Sequence, residues 1–220
     1  MKKHLTLLTY LATAHLGGLV CLMVFRLCFF FSLHSALAAE ATSAWPAFLR
    51  GLWMDNVIGS YILLLPLLVV LVAQLCGRGG KGLLRFLNIW MGGFYALAFA
   101  AAAANIPFYN YFNQPLNSTI WQWAAYPSQT VGMLFGEATW WKYIALWAGV
   151  TAVYAYGLFR WRRYFRHRLP ALPKNWRERG VSLALWLPVA GLCVLGARGR
   201  LGYNPIKISA AYYCDNADLN

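Results

Sequence analysis

The residues able to do chemistry are few, and their spacing excludes more than it offers. The acids are Glu40, Asp55, Glu137, Glu178, Asp215 and Asp218, and the histidines are His4, His15, His34 and His167. They form no HExxH pair and no close His/Asp/Glu set with metal-ligand spacing. The cysteines, Cys21, Cys28, Cys76, Cys193 and Cys214, contain no CxxC, and four of them lie in or beside apolar runs, where Cys acts as a small hydrophobe. His15 and His34 are 19 residues apart in one segment, so one haem cannot bridge them on a continuous helix. No catalytic residue, cofactor site or metal ligand is therefore expected within these residues. What remains is a set of charges beside apolar segments: Arg26, Asp55, Glu137, Arg198 and Arg200. An Arg at membrane depth is costly unless it is paired or bound to phosphate. Its planar fork suits phosphate. These five residues are the candidates for a lipid-headgroup mouth, with ordinary structural ion pairs as the plainer reading.

The elements that must position them are membrane helices. Hydrophobic residues make up 60% of the chain and charged residues 11%, against roughly 25% charged in a soluble domain. Val57–Ala73, VIGSYILLLPLLVVLVA, carries no charge. It nearly reaches the ~20 residues needed to cross ~30 Å of hydrocarbon as a helix. Pro66 would cost a soluble helix ~3 kcal/mol. In a membrane bundle neighbouring groups re-satisfy the carbonyl it frees.

The apolar runs predict an all-α, polytopic membrane protein with five transmembrane helices, at about 5–33, 57–73, 86–104, 141–159 and 181–197. The first run is about twice the length of a signal-peptide core and contains Arg26, so it reads as a helix rather than a cleaved leader. Counting ~1.5 Å per residue from Leu5 puts Arg26 roughly 32 Å along that helix, near its far end. Ser35 to Met54 is expected to be a short external segment, with WPAFLRGLW as an interfacial turn. Residues 105–140 are nearly uncharged and rich in Trp and Tyr, which predicts an interfacial helical segment.

The net charge of +13 is spread between apolar runs rather than over one soluble face, so it reads as a topology signal and not as a nucleic-acid surface. Arg160–Arg179 holds eight Lys/Arg and one acid, and is suited to anionic lipid. Segments assigned inside hold thirteen Lys/Arg, and segments assigned outside hold five. The positive-inside rule then puts the N-terminus in the cytoplasm and the C-terminus outside. The expected location is a bacterial cytoplasmic (inner) membrane.

FLRGLWMDNVIGSYILLLP, from Phe48 to Pro66, resembles the start of the second helix in lipoteichoic acid synthase-like phosphoglycerol transferases, through Gly51, Asp55, Tyr61 and Pro66. Arg198–Asn220 resembles that family's exit from its fifth helix, through Arg198-Gly199, Pro205-Ile206 and Asn216 to Asn220. Arg26 fits as well. The resemblance implies a five-helix anchor for an external sulfatase-type domain of the alkaline phosphatase superfamily. That domain would carry a Thr nucleophile and a divalent, manganese-like metal, and would act on phospholipid. The same resemblance makes residues 201–220 an external linker towards a catalytic domain outside this sequence. Two other readings stand beside it. One is a small transporter subunit, which would place polar residues at mid-bilayer on several helices. The other is a structural or regulatory membrane protein without catalysis.

Overall fold

The computed structural model describes residues 2–37, 45–77, 80–117, 125–126, 128, 132, 136, 138–167 and 175–200. Among them are five long helices: α1 Lys2–Leu37, α2 Trp45–Cys76, α3 Lys81–Phe112, α4 Ala138–Arg166 and α5 Trp176–Arg198. Four are long and apolar enough to cross a membrane, over Thr6–Leu33, Trp45–Cys76, Lys81–Phe112 and Trp176–Arg198. The described residues are thus all-helical, and the chain is a multi-pass membrane protein. The fourth helix is not among these four, and its last turns, FRWRRYFR, are basic.

All five helices extend past their expected ends, the second and third by most. The second begins at Trp45, so WPAFLRGLW forms its opening turns rather than a separate interfacial turn. Pro46 sits in the first turn, where a missing N–H is no loss. No further breaker follows before Pro66. The third helix continues to Phe112, taking in residues 105–112 of the expected interfacial segment. It stops where Asn113 adopts a left-handed conformation (φ 51°), its N–H donating to the Tyr109 carbonyl at 2.8 Å. Most of the remaining interfacial segment, and all of the linker 201–220, lie outside the described residues.

The first helix packs on α2, α3 and α4, and α2 packs on α3, while α5 lies along α2 and α4 along α3. Consecutive helices alternate in direction. Tyr154 on α4 donates to the Ala14 carbonyl on α1, and Tyr10 of α1 meets Phe165 of α4 edge-on. Cys193 of α5 donates to the Ser60 carbonyl of α2, and Ser182 donates to Gln74. These contacts define two ends of the bundle. One gathers the start of α1, the α2–α3 turn, the end of α4 and the start of α5, and is rich in Lys and Arg. The other gathers the end of α1, the start of α2 and the end of α5.

The interior of the bundle is aromatic. Phe99, Tyr95 and Tyr154 lie within 5.3–5.8 Å of one another, centroid to centroid, and Phe25 lies 5.8 Å from Phe99. A second cluster, with Leu7, Leu11, Val70, Leu87 and Trp186, fills the basic half. Leu16, Val20, Phe31, Leu68, Leu97, Val153 and Leu192 stay exposed on the outer surface. That outward apolar face is what a lipid solvent stabilises, whereas water would not.

Candidate functional site

The buried residues of the second helix include Gly51, Asp55, Gly59, Ile62, Pro66, Val70 and Gln74. The steps of three and four residues make a single stripe. On α1, His15 and Arg26 are 11 residues apart, three helical turns, so they too lie nearly in line. Where the two stripes meet, the polar residues find one another.

Arg26 and Asp55 form an ion pair. The Nη2 of Arg26 donates to both carboxylate oxygens of Asp55, each at 2.9 Å. The approach depends on Gly51. A Cβ there would stand 2.1 Å from the guanidinium carbon, so any larger residue would collide with Arg26. The pair leaves donors over. Guanidinium carries five N–H groups, and Asp55 engages one nitrogen. The Nε of Arg26 is buried and lacks a hydrogen-bond partner. The side chain as a whole remains 31% exposed, against 10% for Asp55. The guanidinium therefore keeps donors that the carboxylate does not use.

One residue along α2, Asn56 belongs to a second network. His15 Nε2 lies 3.1 Å from Asn56 Oδ1, and His15 Nδ1 lies 2.8 Å from the Tyr95 hydroxyl. A carbonyl oxygen can only accept, so Nε2 carries the proton. In the neutral tautomer Nδ1 then accepts from Tyr95. Gly59 makes room, since a Cβ there would stand 2.5 Å from the imidazole and 2.7 Å from the Tyr95 oxygen. The helix interiors thus hold more polar groups than a linear reading of the apolar runs suggests. His15, Asn56 and Tyr95 look unremarkable one by one. The signal available in the sequence was their register: His15 shares the Arg26 stripe, and Asn56 follows Asp55.

Of the five expected site residues, the structure joins Arg26 to Asp55. Arg198 closes α5, which packs antiparallel on α2: a Cβ on Gly196 would meet the Ser60 hydroxyl at 2.5 Å and Asn56 at 3.6 Å. Arg198 and the exposed Arg200 accordingly lie at the Asp55 end of the bundle, with Gly199 turning the chain in a left-handed conformation (φ 73°). Glu137 lies outside the described residues.

Beside the pair, α1 and α2 enclose a groove of about 620 Å³ lined by Leu16, Leu19, Val20, Met23, Leu49, Leu52, Trp53 and Asn56. Its lining is apolar but for Asn56, which connects it to the His15 network. A hydrocarbon chain suits such a lining. Among the described residues no three His, Cys, Asp or Glu gather to hold a metal ion. No protein-family model matches the chain, and neither a curated protein nor a solved structure matches it.

Proposed function

We propose that this chain is the membrane-embedded part of a lipoteichoic acid synthase-like phosphoglycerol transferase or sulfatase-type enzyme, which holds an external catalytic domain and presents phospholipid to it. One observation carries this reading. Gly51 and Asp55, two of the residues that bear the family resemblance, meet Arg26 in a single contact whose guanidinium retains unused donors. Phosphate accepts from such donors, and the neighbouring groove suits an acyl chain.

In this reading all five helices span the membrane. The basic end faces the cytoplasm with the N-terminus, and the C-terminus leaves on the outside of a bacterial inner membrane. Arg160–Arg179 anchors the domain on anionic lipid. The divalent, manganese-like metal belongs to the catalytic domain beyond residue 220.

The test is lipid binding by this domain in nanodiscs containing phosphatidylglycerol, with native mass spectrometry counting retained lipid. Arg26→Gln should retain fewer phosphatidylglycerol molecules than the wild type while its thermal unfolding stays cooperative. Equal retention in the variant sinks the reading. Determining the coding sequence past codon 220 tests the anchoring role separately, since a Thr-centred, metal-binding domain must follow.

A second reading, a transporter subunit, draws on the part-buried His15–Asn56–Tyr95 network, because intramembrane polar groups mark transport pathways. Solute flux in proteoliposomes that Tyr95→Phe abolishes would favour it.

A further inference from the structure

Lys81 and Arg85 open α3, and Arg162, Arg163 and Arg166 close α4. With Leu84 and Phe159 these five cations line one cavity of about 540 Å³. Helical spacing explains the convergence. Residues 159, 162, 163 and 166 fall at steps of three, four and seven, and residues 81, 84 and 85 at three and four, so each set occupies one helix face. The two helices pack antiparallel, with Asn110 at Tyr143, Ala96 at Trp147 and Gly92 beside Leu158, so the start of one meets the end of the other. Leu84 is buried beneath the cavity, and the Arg162 guanidinium lies 5.7 Å from the centroid of the Phe159 ring.

Nothing on the cavity wall neutralises this charge. Among the described residues, none of the five has a carboxylate partner, and neither Asp55 nor Glu178 lines the cavity. Like charges gathered on one cavity wall repel one another. An anion in the cavity removes that cost. The volume falls within the ~300–1,000 Å³ of small-molecule sites. Arg forks match phosphate oxygens two at a time, and Lys81 adds a point charge. The first turn of α3 contributes too, because its N-cap, Gly80, has no side chain to cap the backbone N–H groups.

We propose that this cavity is a binding site for a phosphate anion, carried either by an anionic phospholipid headgroup or by a soluble phosphate compound. The site is at the end of the bundle opposite Arg26, and it stands whether or not Arg26 binds lipid. It differs from diffuse attraction along Arg160–Arg179, since two of its five cations come from α3 and Arg160 is not on its wall.

The test uses the whole chain in phosphatidylcholine nanodiscs. Phosphatidic acid is added as the lipid probe, with native mass spectrometry as readout. Inorganic phosphate is titrated calorimetrically without anionic lipid. Replacing Lys81 and Arg85 by Gln should weaken binding by about fivefold per charge removed, as should replacing Arg162, Arg163 and Arg166. The pair Arg160→Gln and Arg177→Gln removes as much charge as the α3 pair, at exposed positions off the wall, and should leave binding intact. Having two independent walls guards against one variant failing to fold. Inorganic phosphate that binds and displaces the lipid assigns a soluble ligand. Lipid retained against phosphate assigns the headgroup. Equal losses in cavity and control variants, or no binding of either probe by the wild type, would overturn the proposal.

Discussion

The indole N–H of Trp90 on α3 donates to the carbonyl of Ile62 on α2 at 3.0 Å. Ile62 is the residue four before Pro66, whose ring brings no N–H to that carbonyl. The freed acceptor lies among apolar side chains, and a neighbouring helix supplies the donor that the backbone lacks. This is how α2 continues through Pro66 as one helix.

Removing that donor should therefore matter only while the proline is present. Trp90→Phe should destabilise the domain by about 1–2 kcal/mol. In a Pro66→Ala background the restored N–H should serve Ile62, and the same substitution should cost markedly less. A double-mutant cycle, read by unfolding in mixed detergent, checks the coupling. Additive costs would contradict it.

Gly51 controls the Arg26–Asp55 pair by its lack of a side chain. Gly51→Ala should drive the guanidinium away and cost about as much as Asp55→Asn, on the order of 1–3 kcal/mol. The upper values for buried pairs are not expected, because Arg26 is 31% exposed. Gly93→Ala is the control, since a Cβ there meets nothing within 4 Å. Thermal unfolding of the three variants should separate the first two from the third.

Tyr95 holds the middle of the bundle through its hydroxyl and through its ring. Tyr95→Phe keeps the ring against Phe99 and Tyr154 but strips the donor from His15 Nδ1, at a cost of about 1 kcal/mol. Gly18→Ala should be worse, because a Cβ there would stand 2.1 Å from the Tyr95 ring, with a rigid aromatic that cannot easily yield. Comparing the two by unfolding in detergent ranks hydrogen bond against packing.

Cys76 and Cys193 report topology and folding together. Cys76 is exposed at the basic end, and Cys193 is buried against α2. In a variant whose only cysteine is Cys76, an impermeant maleimide should label inverted membrane vesicles and leave intact cells unlabelled, as a cytoplasmic basic end demands. In a Cys193-only variant, labelling should wait for denaturation. Labelling of Cys76 in intact cells would reverse the assigned orientation.

The sequence by itself determined the class of object and the distribution of its charge. Runs such as Val57–Ala73 are uniformly apolar and bounded by Lys and Arg, and both signals are local, so neither needs a fold to be read. Local signals were weaker at the helix ends. Trp45–Met54 and Asn105–Phe112 mix aromatic, polar and apolar residues, and only packing on α1 and α4 made them continuous helix. The partner of Arg26 was beyond a linear reading. Asp55 is 29 positions away, and Glu137 had equal standing until α2 was turned with Gly51 and Asp55 toward α1. The same holds for the cavity between Lys81 and Arg166. Hydropathy places a residue along a helix, while its partners depend on rotation about that helix and on its neighbours, and these are decided only when the bundle packs.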